Sequence, residues 1–202
     1  MTLLIKSRPA KTQPKKSARK QPAKLSSEQS VAFSTELGWI LLSWLDDKVS
    51  LVSFGNSSPA EAAKRSSTEP IDEDEAPKWI KQLITKLQRY AQGKNIDLSD
   101  VPLHYASQTA FQRKVQEACR KIPRGQVRSY GELAANAGSP GAARAVGSVM
   151  RTNRFPLIIP CHRVVASGGN LGGFSCPNGV EVKQKLLGFE GVVLGREKEK
   201  KG

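Results

Sequence analysis

The 202-residue sequence predicts a mixed α+β protein, a small N-terminal α/β unit followed by a mostly helical C-terminal domain. Three observations carry this prediction. Residues 39–54 read as two strands around a polar turn, residues 79–90 repeat apolar side chains at helical spacing, and residues 109–152 form short capped helical segments punctuated by Pro and Gly. The length suits one large or two small domains with a real core. The expected division is a basic, disordered arm over 1–30, an α/β domain over 31–100, a second domain over 101–195, and a charged tail over 196–202.

The arm is rich in Lys, Ser, Pro and Gln, a composition that cannot bury enough apolar surface to fold. Trp39 to Leu45 is then an apolar run, Asp46-Asp47-Lys48 a turn, and residues 49–54 alternate at period two. Residues 55–77 read as a polar loop containing the acidic cluster Asp72-Glu73-Asp74-Glu75. Trp79, Ile80, Leu83, Ile84, Leu87 and Tyr90 share one helical face that ends near Gly93, and these aromatics read as core.

In the second half, Thr109 caps a helix whose apolar face carries Phe111, Val115, Ala118, Cys119 and Ile122, stopped by Pro123 and Gly125. Ser129-Tyr130-Gly131-Glu132 fits a capping box, and Gly138 closes that short helix. Ser139-Pro140 is expected to begin the next, from Gly141 to about Thr152, with proline at the tolerated first position. Two short helices around a tight Gly-containing turn resemble a helix-turn-helix. The second has small residues (Ala143, Ala145, Gly147) flanked by Arg144 and Arg151, a surface suited either to tight packing or to a DNA backbone.

The segment 157–165 places Cys161-His162 between two apolar runs that read as buried strand, with Pro160 breaking the first run before the thiol. A cysteine attacks as thiolate, and an ordinary thiol is only a few per cent ionised at neutral pH. His162 and Arg163 are the neighbour types that could raise that fraction. A buried structural cysteine beside a chance histidine is the alternative.

The formal charge of +14 is shared between the first 24 residues, which hold eight Lys or Arg and no acid, and a remainder of +6. That suggests a polyanionic partner, nucleic acid before an anionic membrane. Cys119, Cys161 and Cys176 make neither a disulfide framework nor a CxxC pair, which points to a reducing compartment. With two histidines they are too few for a convincing zinc site. No secretory or membrane-spanning apolar run is present.

Residues from about 101 to 191 closely resemble the O6-alkylguanine-DNA alkyltransferases (methylated-DNA–protein-cysteine methyltransferases). The matching elements are Thr109-Ala110-Phe111-Gln112, Ile122-Pro123-Arg124-Gly125, Ser129-Tyr130, Arg144-Ala145-Val146-Gly147 and Asn153. They continue through Pro160-Cys161-His162-Arg163-Val164, Gly172-Gly173-Phe174-Ser175, Lys183, Leu186-Leu187 and Glu190-Gly191, in family order and near family spacing. Residues 31–100 resemble the family's variable N-terminal domain in pattern only.

The resemblance implies a ribonuclease H-like N-terminal domain and a winged helix-turn-helix-like alkyltransferase domain. It implies irreversible transfer of an alkyl group from O6-alkylguanine in double-stranded DNA to Cys161, without cofactor or metal, leaving O4-alkylthymine open as a second substrate. By the same resemblance His162 is the base, acting through a water, and Glu190 orients it. Tyr130 steers the flipped nucleotide and hydrogen-bonds guanine N3, and Asn153 ties the recognition helix to the active-site strand. Arg144 fills the gap in the base stack, and Ala143, Ala145, Gly147 and Arg151 complete the minor-groove surface. Phe174 and Ser175 contact the guanine. Without the resemblance, Glu190 reads as a solvated helix-end residue.

The sequence departs from many relatives after Ser175, where Cys176-Pro177-Asn178-Gly179 lengthens the pocket loop. Cys176 is expected near the pocket as a non-catalytic thiol. Residues 1–100 contain neither Cys nor His, so the N-terminal zinc of some relatives is not expected. The expectation is a monomer acting in the cytoplasm, or in the nucleus of a eukaryote. The alternative is an alkyltransferase-like protein that senses lesions without catalysis, which the presence of Cys161 disfavours.

Overall fold

The computed structural model describes residues 27–105, 108–176 and 179–194, so most of the basic arm and nearly all of the charged tail lie outside it. Three antiparallel strands come first: β1 (Gln29–Phe33), β2 (Trp39–Leu45) and β3 (Lys48–Asn56), in the order β1-β2-β3. The β2–β3 turn falls where expected but is one residue shorter, since Lys48 already belongs to β3 opposite Leu45, and Asp46 takes φ 54, a left-handed conformation suited to two-residue hairpin turns. β1 begins two residues inside the expected arm. Its Val31, at 0 % exposure, pairs with Leu42, so a strand hidden in a polar neighbourhood is held by its partner rather than by its own composition.

The expected loop over 55–77 also contains structure. Ser58 caps a one-turn helix α1 (Pro59–Ala63), accepting from Glu61 N, and Glu73–Glu75 forms a 3-10 turn. Helix α2 (Lys78–Ala91) then lays Ile80, Leu83, Ile84, Leu87 and Tyr90 into the core.

In the second half, α3 (Ala110–Arg120) carries the Thr109/Gln112 capping box and α4 (Tyr130–Asn136) the Ser129/Glu132 box, each with both reciprocal bonds made. Gly138, at φ 74, turns the chain after α4. The next helix, α5, runs Ala143–Arg151 rather than from Gly141, and Pro140 lies in the turn before it instead of at its first position. Gly141 at φ 85 forbids an earlier start. Helix α6 (Gly179–Phe189) closes the domain.

The strand expected through residues 157–165 is mostly irregular. Only β5 (Val164–Val165) is strand, paired in parallel with the two-residue β4 (Arg128–Ser129). The apolar run before it is buried as a compact turn in which Leu157 takes φ 72. Apolar character reported burial there, and extension did not follow from it.

Buried apolar residues from both halves, including Val31, Leu42, Ile84, Val115, Phe155 and Leu186, form one cluster. Backbone bonds also cross between the halves: His104 N to Val49 O at 2.8 Å and Val52 N to Arg154 O at 2.8 Å. Among the described residues no helix is long and apolar enough to cross a membrane.

Candidate active site

The peptide around Cys161 is pinned from several directions. Pro160 (φ −78, ψ 65) centres a three-residue turn in which Cys161 N donates to Ile159 O at 2.8 Å. Cys161 then opens a 3-10 turn through Arg163, not the strand edge expected from sequence. Asn153, just past α5, donates from Nδ2 to Ile159 O at 3.0 Å and accepts from Phe155 N at 3.0 Å. One amide thus fastens the end of α5 to the turn that carries the thiol.

His162 is fully buried, and its Nε2 lies 3.1 Å from Glu190 Oε1. Glu190 follows α6 and is buried too, overturning its reading as a solvated helix end. Its Oε1 also accepts from Arg163 Nη2 at 2.7 Å and Tyr90 Oη at 3.0 Å, while Oε2 accepts from Arg163 Nε at 2.9 Å and Gly125 N at 3.3 Å. Burial alone would raise the carboxyl's pKa, but the hydrogen bonds and charges of His162 and Arg163 hold it well below the usual carboxylate range. An ionised carboxylate can only accept, so Nε2 of His162 carries the hydrogen. Nδ1 is then the basic nitrogen, and among the described residues it has no hydrogen-bond partner.

Burial pushes the Cys161 thiol above its ordinary pKa, with Asn153 and Lys183 pulling the other way. Burial also lowers the His162 pKa, opposed by Glu190. These directions leave Cys161 a thiol and His162 a neutral imidazole at neutral pH. The sequence suggested Arg163 as a cation for the thiol. Instead its guanidinium is spent on Glu190 and on Ile122 O, 2.6 Å from Nη1.

Lys183 supplies the cation. Fully buried on α6, it donates to Val164 O at 2.6 Å and to Leu171 O, and burial lowers its pKa to about 8. Its sequence signal was a lysine on the same helical face as Leu186 and Leu187. Tyr90 carries a comparable signal, a hydroxyl at the last position of an apolar stripe, a pattern that by itself marks only a core residue.

Cys161 opens onto two adjoining cavities. One, of about 310 Å³, is lined by Tyr130, Gly147, Met150, Arg151, Gly173, Phe174 and Ser175 as well as the cysteine. The Tyr130 ring lies beside Gly172, where a β-carbon would sit 3.3 Å from the ring and the backbone is at φ 67, so a glycine there makes room for the ring. The second cavity, about 510 Å³, runs to β3 and includes Phe54, Arg65, Arg154 and Cys176. Cys176 is half-buried, its thiol raised to about 11 by burial and by the neighbouring Cys161. Pro177 and Asn178 of the lengthened loop lie outside the described residues.

Above these cavities α5 buries Val146, Val149 and Met150 and exposes Arg144, Ala145, Ser148 and Arg151, with Ala143 and Gly147 half-exposed. Such a face has little side-chain bulk between the helix backbone and a partner.

A family model described as "6-O-methylguanine DNA methyltransferase, DNA binding domain" matches residues 110–192. The methylated-DNA–protein-cysteine methyltransferase of Methanothermobacter thermautotrophicus is 36% identical over 151 residues, 75% of this chain and 78% of that protein. The Salmonella typhimurium protein of the same name is 45% identical over 112 residues, 55% of this chain and 64% of its own length. A crystal structure of Mycobacterium tuberculosis OGT in complex with DNA superposes with a TM-score of 0.65 at 29% identity, covering 80% of this chain and 92% of that one. Joined to a buried cysteine, histidine and carboxylate beneath a small-residue helix, these matches place the chain in the methylated-DNA–protein-cysteine methyltransferase family.

Proposed function

We propose that this protein repairs DNA directly, taking the alkyl group of O6-alkylguanine onto Cys161 in a single irreversible turnover. The observation that carries this is the buried Cys161–His162–Glu190 constellation opening onto a cavity under α5. Helix α5 enters the minor groove, its alanines and glycine allowing close approach while Arg144 occupies the space of the displaced nucleotide. Tyr130, Phe174 and Ser175 hold the flipped guanine.

His162 Nδ1 then accepts the Cys161 proton, directly or through one water, while Glu190 steadies the imidazolium. The sulfur attacks the alkyl carbon from the side opposite O6. The C–S bond forms as the C–O6 bond breaks, and that electron pair leaves with O6. Tyr130 stabilises the charge on the purine, and the proton taken from Cys161 balances it as guanine regains its N1–H form. A thioether does not revert, so each molecule acts once. The reaction belongs where DNA is, in the cytoplasm or, in a nucleated cell, the nucleus, and needs only a monomer.

Incubation with a duplex carrying radiolabelled O6-methylguanine tests this. Label should transfer to protein up to one equivalent and be absent from Cys161→Ala. Equal labelling of both proteins, or of neither, overturns the assignment.

A further inference from the structure

We propose that Tyr90, on α2 of the N-terminal unit, is a positioning residue of the alkyl-transfer site, its hydroxyl joining Glu190 and His162 in a closed three-membered contact. This rests on the proposed reaction and adds a member to its machinery. Tyr90 Oη lies 3.0 Å from Glu190 Oε1 and 3.3 Å from His162 Nε2, and those two atoms are 3.1 Å apart. Since Glu190 can only accept and Nε2 carries its hydrogen toward it, the arrangement has one consistent polarity. The tyrosine donates to the carboxylate, and its oxygen offers Nε2–H a second acceptor. Tyr90 itself is only 3 % exposed.

Fixing the hydrogen on Nε2 keeps Nδ1 free to receive the thiol proton. Arg163 grips Glu190 but makes no hydrogen bond to His162, whereas Tyr90 touches both partners. The hydroxyl is also supplied by α2, so the α/β unit contributes to proton transfer as well as to the cavity wall. The other charged groups that act on Tyr90 or His162 include Arg124 from the loop after α3, Arg163 from the 3-10 turn and Lys183 from α6, while Cys161 precedes His162 in the same turn. Removing only the Tyr90 hydroxyl deletes none of these groups.

Tyr90→Phe keeps the ring and deletes the oxygen. Two readouts are compared with wild type: the single-turnover rate on an O6-methylguanine duplex, and the pH midpoint for alkylation of Cys161 by iodoacetamide without DNA, assigned by peptide mapping. The rate is expected to fall about tenfold with duplex affinity unchanged, and the midpoint to move by about half a unit or more, the scale of one net hydrogen bond. An upward move means that support of the imidazolium dominates; a downward move means that relief of Glu190 does. Either shift supports the proposal.

Leu87→Ala, one turn earlier on α2 and fully buried, is the control. It should lower the melting temperature and leave the midpoint in place. An unchanged rate and midpoint in Tyr90→Phe overturn the proposal, as does an equal shift in Leu87→Ala, which would make the effect ordinary loosening. Should wild type transfer no alkyl group, the proposed reaction fails, while the thiol midpoints still judge Tyr90.

Discussion

Arg163 grips Glu190 with two prongs, Nε to Oε2 at 2.9 Å and Nη2 to Oε1 at 2.7 Å, although the residues are 27 positions apart. This pairing lets a carboxylate remain ionised while its side chain is fully shielded from solvent, since burial of an unpaired charge is prohibitive. His162 can then rely on a fixed negative partner without a direct contact from Arg163.

Glu190→Gln should therefore damage chemistry more than binding. The neutral amide accepts fewer bonds and stabilises an imidazolium poorly, so the single-turnover rate should drop about 100-fold or more, the usual scale for losing general-base assistance. Duplex affinity, measured by fluorescence anisotropy, should stay within about twofold, because the side chains and backbone that hydrogen-bond Glu190 (Tyr90, Gly125, His162 and Arg163) all lie outside α5. A matching loss of affinity would show that Glu190 serves mainly to hold the fold.

Stability should fall on acidification, in two stages. His162 has a folded pKa below its unfolded value, so from about pH 6.5 downward the unfolded chain takes up a proton that the native state refuses. Glu190 is also lowered, so below about pH 4.5 the unfolded chain gains a second such advantage. Both contributions are intact at pH 7.5. Urea midpoints at pH 7.5, 5.5 and 4 should decrease in that order, and Glu190→Gln should flatten the last step. A stability independent of pH contradicts the buried pair.

Lys183→Met removes the donor to two carbonyls, Val164 O and Leu171 O, from a fully buried site. The cost should be about 2–5 kcal/mol in urea unfolding, on the scale of unsatisfied buried groups and broken buried charge contacts. Cys161 should also alkylate more slowly at neutral pH, since Lys183 is the cation that favours its thiolate. A loss below about 0.5 kcal/mol would place the ammonium outside the core network.

Arg144→Ala separates flipping from chemistry. The guanidinium is exposed on α5 and away from the relay, so transfer from a duplex should slow by about tenfold or more as the flipping cost goes uncompensated. Reaction with free O6-benzylguanine, which needs no flipping, should stay within about twofold. Equal losses on both substrates would assign Arg144 to the pocket instead.

Cys176→Ser should leave transfer of a methyl group unchanged. With its thiol raised to about 11, Cys176 is a poor nucleophile at neutral pH, and it should take up iodoacetamide slowly. Alkyl label recovered on a Cys176 peptide would contradict this.

Short-range chemistry was legible in the sequence. The Thr109 cap, the Ser129/Glu132 capping box, the turn between β2 and β3 and the stripe of α2 form as their local patterns predict, because each depends on residues within one turn or one strand pair. The segment around Cys161 was legible as apolar and misread as extended. Its geometry depends on Asn153, on the Pro160 turn and on a positive φ at Leu157, and none of these has a periodic signature. β1 and α1 were missed for a related reason. β1 is defined by a partner strand, and α1 by one capping serine in a polar stretch.

By itself the sequence determined which side chains were available for chemistry and their order along the chain: one cysteine followed by a histidine, a helix of small residues with an arginine, and a distant glutamate. Only the tertiary structure decided that Glu190 is buried, that Arg163 serves it rather than the thiol, and that Tyr90, 100 residues away, completes the contact. The physical reason is the range of the interactions. Caps and periodicity act over a few residues, whereas the burial and hydrogen bonding that set a pKa depend on groups that meet only when the core closes.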